Sequence, residues 1–169
     1  MRKHALFLNG VYEDVLNDIL AVHSHLPEQI LFLQPYSSGR IKELAENPPS
    51  VDDPVRVLMS ITTDLNRVHF IGEIVGWSDK SKLNEQELMV INRIIYMFQR
   101  TEPGVYMQVG KIKCKNLLLV RRLRRLSRPF SVEKLIKIST DEALSPERTT
   151  SGGWSYVDNP SNDWLSQFL

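Results

Sequence analysis

The stretch from residue 111 to residue 128 constrains the fold most, because an apolar run of strand length is followed at once by a dense row of cations. Residues 117–120 form the apolar run and predict a buried strand. The cations that follow are Arg121, Arg122, Arg124, Arg125 and Arg128. Guanidinium groups carry a fixed charge and match the geometry of phosphate oxygens. The stretch therefore predicts a buried strand that also carries a phosphate-binding surface.

The size and charge of the chain limit the classes to which it can belong. It has 169 residues and a formal net charge of +1, so acidic residues elsewhere balance the arginines and the basic patch is local. This length predicts a single domain, residues 1–169, which buries a core without disulfides or a structural metal. Cys114 is the one cysteine, which excludes an intrachain disulfide. The first apolar run, residues 5–8, is too short for a signal peptide or a membrane span, which indicates a cytoplasmic protein without membrane contact.

Strand and helix patterns alternate in the first part of the chain. Residues 5–8 have strand composition and end at Asn9-Gly10, after which apolar residues recur at helical spacing. These helical positions are Val11, Val15, Ile19 and Val22. Residues 29–34 predict a second strand, and residues 40–46 predict a short helix.

The middle of the chain predicts a hairpin and then a long helix. Residues 55–62 and 69–77 have strand composition, and the short connection between them is typical of a hairpin in the middle of a sheet. Asn84 with Glu87 three residues later resembles a capping box and begins a predicted helical insertion, residues 84–99. The apolar face of this helix consists of Leu88, Ile91, Ile95 and Phe98.

The end of the chain predicts one more helix and an aromatic tail. Ser131 is a candidate cap, followed by apolar residues Val132, Leu135 and Ile136 on an inward face. Residues 141–169 are richer in Ser, Thr, Pro and Gly but retain large apolar side chains, so we expect this tail to pack on the domain. Those side chains are Trp154, Tyr156, Trp164, Leu165 and Phe168.

The sequence lacks the motifs of several common enzyme classes. It contains no glycine-rich phosphate loop with Lys-Ser/Thr, no Gly-x-Ser-x-Gly elbow and no His-Glu-x-x-His helix. No acidic residue is followed by lysine two positions later, which disfavours a metal-dependent restriction-type nuclease. His23 and His25 at the end of the first helix would point to different sides, so favourable interaction with the helix C-terminus is preferred over a metal site. A protein without catalytic activity, metal or cofactor is therefore expected.

Two groups of aromatic residues follow glycines and could stack on a base. Trp77 comes directly after Gly76 at a strand end, while Trp154 and Tyr156 follow the pair at 152–153. Stacking of a base on such rings contributes about 1–3 kcal/mol. An extruded or chemically altered base costs less to unstack than a normal paired base. The alternative is that these rings close the ends of a sheet core.

Two segments resemble the pseudouridine-synthase-and-archaeosine-transglycosylase-like (PUA-like) superfamily, especially its EVE and ASCH branches. The first, residues 70–77, reads Phe-Ile-Gly-Glu-Ile-Val-Gly-Trp. The second, residues 115–123, reads Lys-Asn-Leu-Leu-Leu-Val-Arg-Arg-Leu and continues to Arg-Pro-Phe-Ser at 128–131. The resemblance covers roughly the middle half of the chain. The long helix and the extended tail depart from a minimal EVE-like domain.

The resemblance implies an α+β protein built around a PUA-like curved β-barrel decorated by helices. Members of the superfamily commonly bind RNA or DNA, and the EVE branch looks suited to reading modified bases in an aromatic-lined pocket. By position, Trp77 would lie near the mouth of the pocket and the arginine row would run beside the bound backbone. Trp154 and Tyr156 are candidates from this sequence alone.

The residues and the resemblance together predict a non-catalytic nucleic-acid-binding domain that reads a modified or flipped base. For the arginine row, the alternative is a solvated edge strand, because edge charges also suppress aggregation. A second hypothesis is a protein-interaction module or accessory subunit of a bacterial defence or toxin system, with a protein partner or a homodimer docked on helix 88–98 and the tail. A third is a small nucleic-acid or nucleotide hydrolase, with His69 and Glu73 as acid and base on one face of a strand.

Overall fold

A mixed β-sheet with a few helices on its faces makes up the fold. The computed structural model describes residues 2–35, 39–87 and 116–169. The strands are β1 His4–Val11, β2 Leu31–Leu33, β3 Val55–Ile61, β4 Arg67–Asp79, β5 Asn116–Ser131, β6 Ile136–Lys137, β7 Glu142–Ala143 and β8 Trp154–Asp158. Three α-helices lie wholly within these ranges, and they are α1 Glu13–His23, α2 Lys42–Glu46 and α3 Asn162–Ser166, with 3-10 turns at Lys80–Lys82 and Val132–Lys134. No helix of the described ranges has the length and apolar character needed to cross a membrane.

The strand order is β2-β5-β4-β3-β1-β8-β6-β7, so the described strands form an open sheet with β2 and β7 at its ends. β1 and β3 are parallel, and the other neighbours are antiparallel. The expected α+β class is confirmed. The barrel that the PUA-like resemblance implied is not formed by these eight strands, because closure requires the end strands to pair and β7 is a two-residue strand that pairs with β6.

β1 lies at the centre of the sheet and is buried on both faces. All residues from Ala5 to Val11 are buried. Leu6 and Leu8 face a cluster that also contains α1, which we call the helix-side core. Phe7 faces the opposite cluster, which we call the tail-side core because it contains Leu165 of α3. Side chains alternate along a strand, so a central strand covered on both faces reads as one continuous apolar run.

The tail packs on the domain, as the sequence predicts. The rings of Phe130, Trp164 and Phe168 form a cluster with centroid distances of 4.9 Å. Ser161 caps α3, since its hydroxyl accepts a hydrogen bond from the Trp164 N–H at 3.2 Å. This short helix thereby turns Trp164 toward the tail-side core.

Most predicted elements that fall on described residues are found, with one exception. The helix predicted after Ser131 is wrong: Val132–Lys134 form a single 3-10 turn, because the chain enters β6 at Ile136 and pairs there with β7. The predicted cap at Asn84 is confirmed, since its Oδ1 accepts from the Glu87 N–H at 2.8 Å. The remainder of the predicted helix, residues 88–99, and Cys114 lie outside the described residues.

Candidate nucleic-acid interface

Arg121 and Arg122, the first two arginines of β5, belong to an ion-pair network. Arg121 is only 8% exposed, and its Nε lies 2.8 Å from Oε2 of Glu73. The Nη2 of Arg121 also donates to the Val51 carbonyl at 2.9 Å. Arg122 donates from Nε to Oε1 of Glu28 at 2.7 Å and from Nη1 to Oε1 of Glu73 at 3.3 Å. The two acids satisfy both guanidinium groups, and their proximity raises the pKa of Arg122.

A β-bulge explains why two adjacent arginines reach the same acid. Ile71 pairs with Arg124 and Glu73 with Arg121, so β5 has one residue more than β4 over this stretch. Arg122 has a φ of +54°, in the left-handed region. The extra residue of a bulge shifts the alternation of side chains between the two faces. Strict alternation would have placed these two neighbouring side chains on opposite faces.

His23 on α1 binds the backbone of β5 next to the bulge and so fixes its position. The N–H of Leu123 donates to its Nδ1 at 2.9 Å, and its Nε2 lies 2.8 Å from the Gln29 carbonyl. The carbonyl can only accept, so Nε2 carries the proton and the ring is neutral in this arrangement. Burial lowers the pKa of His23, in spite of the hydrogen bond to Gln29. The preferred interpretation of His23 as a helix C-terminal residue is therefore incomplete, because it also binds the backbone of β5.

The next arginines of β5 bind groups from α1 and the tail. Arg125 donates to Oε2 of Glu13 at 2.9 Å and lies 4.4 Å above the ring centroid of Phe70. Arg128 donates to the Gln167 carbonyl at 2.6 Å. Arg124 is exposed and has no partner among the described residues. Four of the five predicted phosphate contacts therefore have intramolecular partners, and phosphate binding by the row stays a prediction.

The three aromatic residues predicted to stack on a base lie on two separated strands. Trp77 is half-buried on β4 and donates from Nε1 to Oδ1 of Asn116 at 2.9 Å. Trp154 and Tyr156 lie on β8, with β3 and β1 between them and β4. All three pack partly against the helix-side core. Trp154 and Tyr156 also line an open cleft of about 660 Å³ with Lys3 and Lys137, so the structure groups these two rings without Trp77.

A smaller, more enclosed cavity of about 70 Å³ lies at the carboxyl end of β1, where α1 begins. Its lining comes from the end of β1, the start of α1, the end of β2 and the glycines before β8. The ring of Tyr12 lines it and is 54% exposed. Gly10 has a φ of +72°, and a Cβ there would lie 2.6 Å from Cβ of Ser151, so the close approach of the two loops requires glycine. In open α/β sheets the carboxyl ends of parallel strands are a common position for ligands.

Asn9 ties this cavity to the loop that precedes β8. Its side chain is only 6% exposed, and Nδ2 donates to the carbonyls of Thr150 at 2.8 Å and Gly152 at 3.0 Å. The Asn9 backbone bonds the same loop, through its N–H to Gly153 and its carbonyl to the Gly152 N–H. Its buried Oδ1 has no hydrogen-bond partner among the described residues. The amide orientation is fixed by its two donated bonds, which leaves Oδ1 as an unused acceptor in a residue that lines the cavity.

The two residues of the hydrolase hypothesis bind different partners. The Nε2 of His69 lies 2.7 Å from Oδ2 of Asp64, which also accepts from Nε of Arg67 at 2.7 Å. Burial raises the pKa of Asp64, but these hydrogen bonds outweigh it and hold the pKa below its ordinary value. Glu73 belongs to the ion-pair network of β5. Neither arrangement leaves an acid and a base facing one reacting atom.

Comparison with family models, with curated proteins and with solved structures found no match to this chain. The features of the cavity are therefore the basis for a functional conclusion. Sequence reasoning missed Asn9 and Tyr12 as site residues and read Asn9-Gly10 only as the end of a strand. Their position in the sequence could have indicated the site, because Asn9, Gly10 and Tyr12 lie between a strand pattern and a helix pattern.

Proposed function

We propose that this protein binds single-stranded or locally unpaired nucleic acid and holds one base against the cavity at the end of β1, without catalysing a reaction on it. The exposed ring of Tyr12 on the rim of an otherwise enclosed cavity carries the proposal. The base-reading function predicted from the sequence is kept, and its centre moves from Trp77 to Tyr12. The PUA-like resemblance, with its EVE-type reading of modified bases, is part of the same hypothesis.

The size of the cavity fits the edge of a planar ring. One water molecule needs about 10–15 Å³ of cavity, and this cavity is several times larger at about 70 Å³. It is small for a whole nucleotide, so most of the ligand would remain outside and contact Tyr12. Stacking on an aromatic ring contributes about 1–3 kcal/mol per base. A ligand that enters edge-on and stacks at the rim is the geometry that the lining favours.

The unused acceptor of Asn9 supports a base that carries an N–H group. A buried acceptor without a partner costs about 1–3 kcal/mol, so a donor from the ligand edge would recover part of that energy. Amino groups on cytosine, adenine and guanine are such donors. Reaching Oδ1 requires a small shift of the loop at 150–153, which glycines at 152 and 153 permit.

The test is a titration of Tyr12 variants with short single-stranded and double-stranded oligonucleotides, with and without a modified cytosine. Intrinsic tryptophan fluorescence reports binding, because Trp154 directly follows the glycines that line the cavity. Loss of about 1–3 kcal/mol of stacking predicts roughly 5- to 150-fold weaker binding by Tyr12→Ala. Tyr12→Phe is the matched control and should bind like the wild type.

Equal affinity of Tyr12→Ala and the wild type for every oligonucleotide would exclude the cavity as the binding site. No binding by the folded wild type would move the preference to the protein-interaction hypothesis, which sedimentation or light scattering then tests as a stable oligomer.

A further inference from the structure

The open cleft and the cavity at the end of β1 lie on the same face of the sheet. Leu8 lines the cavity and pairs with Trp154 of β8, which lines the cleft. Residues directly opposite each other on two strands project to the same face, and both of these side chains contact the helix-side core. Gly153, the residue before Trp154, also lines the cavity. Trp154 therefore lies at the boundary between the cavity and the cleft.

Two half-buried aromatic rings of β8 line the cleft, and their spacing suits an extended strand of nucleic acid. Trp154 and Tyr156 are two positions apart, so their side chains project to one face about 7 Å from each other. Stacked bases in one strand of a duplex are about 3.4 Å apart. Bases that stack on both rings would be about twice as far apart, which requires an unpaired strand whose neighbouring bases are not stacked on each other.

The charged side chains of the cleft divide into paired and unpaired groups. Arg2 lies 2.9 Å from a carboxylate oxygen of Asp53, and Glu46 lies 3.6 Å from Nζ of Lys42. The cleft residues that form no ion pair with a described residue are Lys3, Lys137 and Glu43. Two cations and one carboxylate are therefore available to a ligand. This combination suits a ligand that carries both phosphate groups and N–H donors.

The two lysines lie at the end of the cleft that is remote from the cavity. Lys137 pairs with Val157 of β8, which is further from the cavity than either aromatic ring. Lys3 comes directly before β1, whereas the cavity lies at the carboxyl end of this strand. A strand that leaves the cavity along the rings of β8 would therefore reach the two lysines.

Glu43 lines the cleft from α2, which packs on the helix-side core through Leu44. Burial raises the pKa of Tyr156, Arg2 acts against this rise, and Glu43 adds to it. The carboxylate is thus close enough to the Tyr156 ring to act on it through space. Carboxylates accept hydrogen bonds from the amino group of cytosine, so Glu43 is placed to read a base that stacks on β8.

We infer that the cleft holds the two nucleotides next to the base at Tyr12, with their bases on the rings of β8 and their phosphates on Lys3 and Lys137. This inference rests on the proposed function and gives its ligand a length of three nucleotides and a path along the sheet. The cleft volume of about 660 Å³ lies within the range of ligand sites. Glu43 adds a preference for bases with an amino group over thymine and uracil.

The experiment measures the affinity of cytosine deoxynucleotides of one to five residues by isothermal titration calorimetry at several salt concentrations. Trp154→Leu removes the first ring of the cleft, and Trp154→Phe keeps a ring there. Lys137→Met removes a cation and keeps its apolar stem. Lys134→Met is the matched control, because this exposed lysine lies three positions away and does not line the cleft. Thermal unfolding confirms that each variant is folded.

We expect the wild-type affinity to rise about fivefold or more with each added residue up to three and then to level off, because each stacked base contributes at least this factor. Trp154→Leu should lose the gain from the second residue, and Trp154→Phe should retain it. Lys137→Met should reduce the slope of log affinity against log salt by about 0.7, the value for one phosphate contact on a single strand. Lys134→Met should leave this slope unchanged.

The base preference tests the role of Glu43. Three trinucleotides, each with thymine in place of cytosine at one position, separate the cleft from the cavity. Thymine at a cleft position should weaken binding by about fivefold or more, because it offers no amino group. Glu43→Ala should remove this penalty without changing the penalty at the cavity position. An unchanged cleft penalty in Glu43→Ala would exclude Glu43 from the site.

The outcomes separate this inference from the proposed function. An unchanged gain with length in folded Trp154→Leu, or an unchanged salt slope in Lys137→Met, overturns the cleft site and leaves the base site at Tyr12 intact. Binding that depends on Trp154 and Lys137 but not on Tyr12 supports a nucleotide site in the cleft and overturns the proposed function.

A mononucleotide that binds as tightly as the trinucleotide overturns the path along the sheet, because the ligand is then a free nucleotide. If Trp154→Leu fails to fold, the salt slope of Lys137→Met decides. If the folded wild type binds none of these probes, both the inference and the proposed function fail.

Discussion

The arginine row of β5 and the end of β1 differ in how their polar groups are used. Along β5, four cations stand close together, and Glu28, Glu73, Glu13 and the Gln167 carbonyl each bind at least one of them. At the end of β1, Oδ1 of Asn9 lacks a hydrogen-bond partner among the described residues. Dense charge in a sequence thus indicates where a protein is charged, and the partners of each group indicate where it can bind.

The largest effect is expected from breaking the β5 network at Glu73. Glu73→Ala leaves the buried guanidinium of Arg121 without its nearest carboxylate. Breaking a buried pair on one side costs about 3–5 kcal/mol, and we expect about 3 kcal/mol in the free energy of unfolding, because Glu28 still approaches Arg121 at 3.6 Å. Urea unfolding monitored by circular dichroism measures it.

Arg148→Met is the control for this comparison, because no ion pair is lost with it. Arg148, in the segment before β8, is half-buried, and its guanidinium carbon lies 5.1 Å from the ring centroid of Phe7. Its replacement removes this cation–π contact, so the free energy of unfolding should fall by about 0.5–1 kcal/mol. Equal destabilisation by Glu73→Ala and Arg148→Met would remove the distinction between a structural and an unpaired cation.

A smaller effect is expected at Gly10, which brings the end of β1 and the loop before β8 together. Gly10→Ala introduces a Cβ 2.6 Å from that of Ser151 at a positive φ. Strain of this kind costs of order 1–3 kcal/mol, and we expect about 2 kcal/mol in thermal or urea unfolding together with loss of oligonucleotide binding.

Gly153→Ala is the matched variant, since it also has a positive φ but its Cβ would meet no atom within 4 Å. Gly153→Ala should lower the free energy of unfolding by less, about 1 kcal/mol. Equal stability of the two alanine variants would show that Gly10 is not needed for the close approach of the two segments.

The smallest expected effect is a pH dependence of the free energy of unfolding that arises from His23. Its folded-state pKa is lowered, so the unfolded chain binds the proton more readily. Stability from the neutral ring is therefore fully present above the unfolded-state pKa of about 6.5 and is lost as pH falls below it, at no more than about 1.4 kcal/mol per pH unit. Urea unfolding between pH 5 and pH 8 measures this slope in the wild type.

His23→Gln should flatten that slope, because an amide can accept from the Leu123 N–H without titrating. A wild-type slope that persists in His23→Gln would assign the acid sensitivity to a group other than His23.

Strands and helices with a clear periodicity of apolar residues were predictable from the sequence. β1, β3, β4 and α1 follow apolar patterns whose residues are buried in the structure, and the tail is held by the aromatic residues that predicted its packing. The bulge at Arg122 was not predictable, because it depends on Glu73, His23 and the backbone of another element. The same holds for Asn9, whose two partners are contributed by Thr150 and Gly152.

The pairing of β1 with β8 has a consequence for how the protein is made. Asn9 and its partner Thr150 are 141 residues apart, yet β1 lies between β3 and β8 in the finished sheet. At a synthesis rate of about 5–20 residues per second, roughly 7–28 seconds pass before the second neighbour of β1 exists. During this interval an apolar strand has at least one free edge, an arrangement prone to pair with another chain. The edge of β1 is therefore open to aggregation on the ribosome until β8 is made and covers it.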